Sequence, residues 1–390
     1  MTTTVDTSSA LATTRGRLIL ALLCTVAFLD FADATIVNIA LPSIRDDLGF
    51  SVQQLQWVPS AYLLTYGGFM LLGGRAGDLL GRRRVLLAGL AVFSLASLVG
   101  GVAGDAAVLV GARLVQGVGA AMTIPAALSI LTTTFHSRSD RHAAIGVWGG
   151  VAGLASAVGV LLGGVLTEGP GWRWVMLINP IVCALLVVPV LRLIPNDRPA
   201  ERRRGFDVPG AVLATSAVLL LVYTLVEAPE RGWADASTVL GLAGSGILAV
   251  AFLAVEMRSE QPLVPLSIAR VPGLLAANVV QLTALAGFLS MFFFLTLYMT
   301  TVLEFSPIRT GLAYLPVCVV TGASAGIGSQ LIVRIGTRPI IVIGSFVAAA
   351  GVFWLSRVRA DGGYFTDVLP GMVVLSLGMG ALLVTVTAAA

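Results

Sequence analysis

Leu18–Leu41 is a mostly apolar run of 24 residues, and runs like it recur to the end of the chain. A helix rises about 1.5 Å per residue, so this run reaches about 36 Å, against about 30 Å for the hydrocarbon core of a bilayer. Backbone polar groups inside lipid must be satisfied within their own segment, which leaves helices as the structure open to such runs. The expected fold class is all-α integral membrane. Composition agrees, since 57% of the 390 residues are hydrophobic, 11% are charged and the mean hydropathy is +0.95. A soluble domain carries about 25% charged residues. The runs read as twelve spans: Leu18–Leu41, Leu55–Gly74, Val85–Val102, Ala106–Thr132, Ala143–Leu166, Trp174–Leu193, Val208–Val226, Val239–Val255, Leu274–Val302, Gly311–Val333, Ile340–Leu355 and Val368–Ala390. They leave no room for a soluble catalytic domain, so an enzyme is not expected.

The net charge of +4 comes entirely from arginine, because no lysine occurs. A basic chain can bind nucleic acid, but here the arginines alternate with the spans. One side holds Arg15, Arg17, Arg82, Arg83 and Arg84, with more in the later loops on that side, and the other is sparser, with Arg45, Arg173, Arg231 and Arg309 among its few. The positive-inside rule then places the N-terminus in the cytoplasm, and no nucleic-acid partner is expected. Arg15 and Arg17 before an apolar run resemble the start of a signal peptide, but the run is long, holds acids and leads into further spans, so it is expected to be retained. Residues 1–14 are Thr/Ser-rich and expected to be disordered. Residues 15–194 form a first six-helix bundle, 195–271 a charged linker with two peripheral spans, and 272–390 a partial second bundle of four spans. The end at Ala390, inside an apolar run, raises the alternative of a truncated membrane protein that transports nothing.

Within the first span, Asp30 and Asp33 lie three residues apart and so share a helix face. A carboxylate at mid-bilayer costs at least about 2.5 kcal/mol, and such residues mark ion or substrate pathways. Desolvation and mutual repulsion oppose ionising both at once, which suits a site that gains and loses a proton. The bland alternative, a structural pair near the membrane edge, applies to Asp30 as readily as the functional one. In the fourth span, Arg113 stays charged at any working pH. It either snorkels outward or lines one cavity with Gln116 and Asp33. Gly74–Leu86 reads as a short loop in which Asp78 accepts from arginine, Gly77 and Gly81 permit a tight turn, and Arg82 and Arg83 anchor the cytoplasmic side. The fifth span carries Gly153, Gly159, Gly163 and Gly164, expected to let helices pack closely. Cys24, Cys183 and Cys318 have no metal spacing. Gly322, Gly326 and Gly328 follow no strand, and no phosphate-binding loop occurs, so neither metal, nucleotide nor other cofactor is expected.

At these residues the chain resembles the major facilitator superfamily, specifically its fourteen-helix drug:proton antiporters. The first-helix pattern appears as Asp33, Thr35, Ile36, Val37, Asn38, Ala40, Leu41 and Pro42, and the loop motif as Gly74, Asp78, Gly81, Arg82 and Arg83. The fourth-helix motif appears as Arg113, Gln116, Gly117 and Gly119. Trp172, Arg173, Trp174, Ile178 and Asn179 match a further element, as do Ser306, Pro307, Gly311, Leu315 and Pro316. The chain departs from the family at Leu79, usually basic, and at Val160, usually the proline of a Gly-Pro pair; two of the fourteen expected spans are also missing. The resemblance implies efflux of a lipophilic or cationic small molecule across the cytoplasmic membrane. A proton gradient would supply the energy, through alternating access by two rocking bundles. It also implies that Asp33, Asp30 and Arg113 couple protons, that the Asp78 loop gates, and that Asn38, Gln116, Asn278 and Gln281 line the cavity. A uniporter or symporter of the same superfamily is the rival transport reading. Oligomeric state is not legible.

Overall fold

The computed structural model describes residues 10–196, 208–259, 271 and 273–389, and these described residues are helical nearly throughout. Twelve long helices follow in order: α1 Thr14–Leu48, α2 Trp57–Leu80, α3 Arg82–Gly101, α4 Ala106–Thr134, α5 Arg138–Glu168, α6 Arg173–Leu193, α7 Val208–Arg231, α8 Ala236–Arg258, α9 Leu274–Thr301, α10 Leu315–Ile335, α11 Thr337–Leu355 and α12 Leu369–Ala389. Among the described residues, 11 helices are long and apolar enough to cross a membrane. The long helix outside that set is α2, whose Ser60, Tyr62, Thr65, Tyr66 and five glycines dilute its apolar character.

Local chemistry sets most of the ends. Thr13 caps α1 by accepting from the Gly16 amide, and Gly49 closes it in the left-handed region at φ 71°. Ser51 and Gln54 form a reciprocal capping box on the short helix Val52–Leu55. Asp105 caps α4, and Ser306 caps the short helix Pro307–Ala313 that leads into α10.

Several expected boundaries are corrected. Helix α1 does not stop before Pro42 but continues to Leu48, 35 residues in all. The proline removes one hydrogen bond, which a membrane helix tolerates. Gly74–Leu86 is not a loop. Helix α2 runs through Gly77 to Leu80, and a single residue, Gly81 at φ 96°, turns the chain into α3. The expected disorder before residue 15 does not reach Ala10–Ala12, which forms a 3-10 turn. Residues 1–9 and, within the expected linker region 195–271, residues 197–207 and 260–270 lie outside the described residues. The expected tenth span is broken at Tyr314, and α12 is entered through a π-helical turn, Tyr364–Val368.

The chain divides into two compact units. The first comprises Met1–Asp33, Ile44–Ala152 and Arg173–Pro265, and the second Ala34–Ser43, Gly153–Trp172 and Leu266–Ala390. In the first, α4 is central and packs against α2 and α3, while α3 also packs on α6. The α2/α4 approach is close because Gly117 lies against Thr65 and the Tyr62 carbonyl, where any Cβ would collide. Thr65 Oγ1 donates across the same seam to the Leu114 carbonyl at 2.7 Å. The hairpin of α7 and α8 docks on α2. Thr215 Oγ1 donates to the Gly68 carbonyl at 2.7 Å, and Trp57 Nε1 donates to Glu227 at 3.2 Å.

In the second unit, α12 packs against α9, α10 and α11. Its core includes Phe292, Met299, Tyr314, Met372 and Met379, and Tyr314 donates its hydroxyl to the Phe292 carbonyl at 3.1 Å. Val160 is buried in that core, and α5 runs unbroken through it. A Cβ on Gly163 would stand 2.8 Å from the Ile36 carbonyl, and one on Gly164 2.7 Å from the Pro307 carbonyl, so both glycines sit at close backbone approaches. Gly159 is buried. Gly153 lies in α5, but its packing lies outside the described residues.

Candidate functional site

The first unit buries a polar cluster among α1, α2, α3, α4 and α6. Asp33 is 1% exposed, Arg113 1% and Gln116 0%. Arg113 Nη1 donates to Asp33 Oδ2 at 2.6 Å and to Gln116 Oε1 at 2.8 Å, and its Nε donates to the Val58 carbonyl at 3.2 Å. The guanidinium also lies over the Tyr62 ring, 4.4 Å from its centroid. The other oxygen of Asp33 accepts from Asn179 Nδ2 at 2.6 Å and from Gln116 Nε2 at 3.0 Å. Of the two readings of Arg113, the geometry selects the inward one: the side chain is paired and buried rather than reaching to the membrane surface.

Ser97 on α3 underlies this arrangement. Its single hydroxyl hydrogen goes to the Met176 carbonyl at 2.8 Å. Its oxygen accepts from Asn179 Nδ2 at 2.9 Å and from Gln116 Nε2 at 3.4 Å. Both amides therefore point their nitrogens toward Asp33 and Ser97. A buried ion pair needs such supporting hydrogen bonds, because desolvating two charges otherwise outweighs their attraction.

Asp30 lies one turn earlier on α1 and is 4% exposed. It does not share the partners of Asp33. Thr123 Oγ1 lies 2.7 Å from Asp30 Oδ2, and among the described residues this is its hydrogen-bond partner.

The remaining expected site residues are scattered. Asp78 is exposed and sits 3.9 Å from Arg82 one turn on, a contact worth little in solvent. Gly74 meets Pro125 at ordinary contact distance, and Arg83 is half-buried. Asn38 turns its amide onto its own helix, donating to the Ala34 carbonyl at 2.9 Å. Asn278 is exposed and Gln281 half-buried. Sequence reasoning missed Ser97 and Thr123, and met Asn179 only as part of a motif. Thr123 was findable, since it lies seven residues after Gln116 and so on the same face of α4. Ser97 is one of two serines in a largely apolar helix and carried no signal.

With this geometry in hand, likeness to known proteins becomes informative. A family model described as Major Facilitator Superfamily matches residues 23–390. The puromycin resistance protein pur8 of Streptomyces alboniger is 41% identical over 360 residues, covering 90% of this chain and 70% of that protein. The cephamycin export protein CmcT of Amycolatopsis lactamdurans is 40% identical over 367 residues, covering 93% of this chain and 75% of its own. Among solved structures, the partially occluded inward-open xylose transporter XylE from E. coli aligns with a TM-score of 0.65 at 12% identity, covering 96% of this chain and 83% of the other. That likeness extends to the fold alone.

Proposed function

The chain belongs to the Major Facilitator Superfamily, and from that premise we propose that it exports a lipophilic or cationic small molecule across the cytoplasmic membrane in exchange for inward-moving protons. Membership makes it a multi-pass membrane protein of a transporter family rather than an enzyme. Relatives named for antibiotic resistance and export support an outward, small-molecule cargo. The observation that carries proton coupling is the Asp33–Arg113 pair at 2.6 Å, buried and braced by Gln116, Asn179 and the Val58 carbonyl. A guanidinium cannot discharge, so a proton arriving on the carboxylate is what loosens the pair. Asp33 is then the main coupling acid, Arg113 its electrostatic partner, Asp30 a second acid and the Gly74, Asp78, Gly81, Arg82, Arg83 segment a cytoplasmic gate. The N-terminus faces the cytoplasm, and the cycle is one of alternating access. Gln116, Asn38, Asn278 and Gln281 remain the proposed cavity residues.

The test is a panel of lipophilic and cationic compounds in a pump-deficient host, with and without an uncoupler. The wild-type chain is expected to raise tolerance to some of them only while the proton gradient stands. Asp33→Asn is expected to abolish that tolerance at unchanged membrane levels. Efflux that persists in Asp33→Asn and still follows the pH gradient would remove Asp33 from this role. Efflux indifferent to the uncoupler in the wild type would favour a uniporter.

A further inference from the structure

Thr123 stands between two acceptors. Its Oγ1 is 2.7 Å from Asp30 Oδ2 and 3.0 Å from the carbonyl of Ala120, one turn back on its own helix. A threonine hydroxyl has one hydrogen and can also accept. When Asp30 is a carboxylate, Thr123 gives that hydrogen to it. When Asp30 carries a proton, Thr123 turns its hydrogen to the Ala120 carbonyl and accepts from the Asp30 O–H. Either protonation state finds its hydrogen bonds, and the exchange between them needs only rotation of one hydroxyl. Asp33 has no such freedom. Its two oxygens are met by Arg113, Gln116 and Asn179, all donors, and a carboxyl hydrogen placed there would displace one of them.

We infer that Asp30 and Thr123 form a separate protonation station, which holds the exchanging proton while Asp33 stays charged and bound to Arg113. The inference rests on the antiport reading above and divides its labour. The proton is stored one turn away from the ion pair, then passes to the Asp33 carboxylate, and its arrival there is what opens the pair. No bond other than O–H is made or broken. The proton leaves one carboxyl oxygen for another, and Thr123 returns to its starting orientation.

The other ionisable groups facing Asp30 are compatible with this role. Asp33 on α1 carries its own neutralising partner in Arg113 on α4. Tyr62 and Tyr66 on α2 and Cys183 on α6 are buried or largely so, and they are neutral groups in water near pH 7. No cation comparable to Arg113 stands beside Asp30 among the described residues.

The decisive measurement is infrared pH-difference spectroscopy on the full chain in lipid, reading the C=O stretch of protonated carboxyls in H2O and D2O. The wild type is expected to show a band that Asp30→Asn deletes and Asp33→Asn leaves in place. Thr123→Val is expected to shift that band, because the protonated carboxyl loses its acceptor, and Thr123→Ser to restore it. Should Asp30→Asn fail to fold, the two Thr123 variants still decide. A full band in Asp30→Asn, or one unmoved by Thr123→Val, would overturn the station. The antiport reading is judged separately, on ethidium uptake into wild-type everted vesicles, the exporting direction there, with the pH gradient intact or collapsed. Gradient-independent uptake would count against antiport while leaving the infrared result to stand.

Discussion

Arg113 and Asp33 are each 1% exposed, and neither could be buried alone. Removing one partner of a buried pair costs about 3–5 kcal/mol, because the other charge stays without compensation, whereas removing both together costs far less. Asp33→Asn and Arg113→Gln should each lower the detergent melting temperature by several degrees. The double variant should melt above either single one, and additive losses would contradict the pairing. Ser97→Ala belongs to the same scale. It withdraws the acceptor shared by two amides, so it should destabilise by about 1–3 kcal/mol in the same assay, the usual range for leaving buried polar groups unsatisfied. The centre of this cluster was legible in the sequence, because Asp33, Arg113 and Gln116 are polar residues stranded in apolar runs. What supports them was not: Ser97 and Thr123 matter through positions that only the packing of α1, α3 and α4 defines.

At the scale of elements, the α2/α4 seam depends on the absence of one atom. A Cβ on Gly117 would fall on Thr65 and the Tyr62 backbone, whereas one on Gly111 of the same helix would meet nothing within 4 Å. Gly117→Ala should therefore destabilise by about 1–3 kcal/mol, as overpacking does. Gly111→Ala should leave the melting temperature unchanged or raised, since alanine is the better helix former. Helix ends show the same dependence on single groups. Two hydrogen bonds from Ser237, hydroxyl and amide, hold the Asp235 carboxyl below the usual carboxylate range at the start of α8. A carboxyl depressed on folding stabilises fully above its unfolded value, about 3.9, and loses that contribution as pH falls through the lower folded value. Amide exchange at Ser237 should accelerate over that acidic window and be insensitive to pH-linked opening in Asp235→Asn. Sequence reading found the helices and their order but misjudged several ends, for physical reasons. Pro42 signals a stop that a membrane helix can override, and Gly77 suggests a turn where helical packing keeps it in line.

For the whole molecule, the arginine pattern makes the orientation testable. Gly171→Cys, in a cysteine-free background, should react with a membrane-impermeant maleimide in intact cells, and Arg84→Cys only after permeabilisation. The reverse pattern would invert the topology. The twelve long helices were countable from apolar runs alone, and α2 is the least apolar of them, thinned by polar residues and glycines.

One guanidinium that never discharges is set against two buried carboxyls, and this fixes the arithmetic of the site. On the antiport reading proposed above, the cluster is left with one uncompensated negative charge, which a hydrogen ion balances on the inward leg and a singly charged cargo on the outward leg. Swapping one for the other moves no net charge across the membrane. Export of a monovalent cation should then ignore a voltage clamped with potassium and valinomycin, and stop when nigericin dissipates the pH difference.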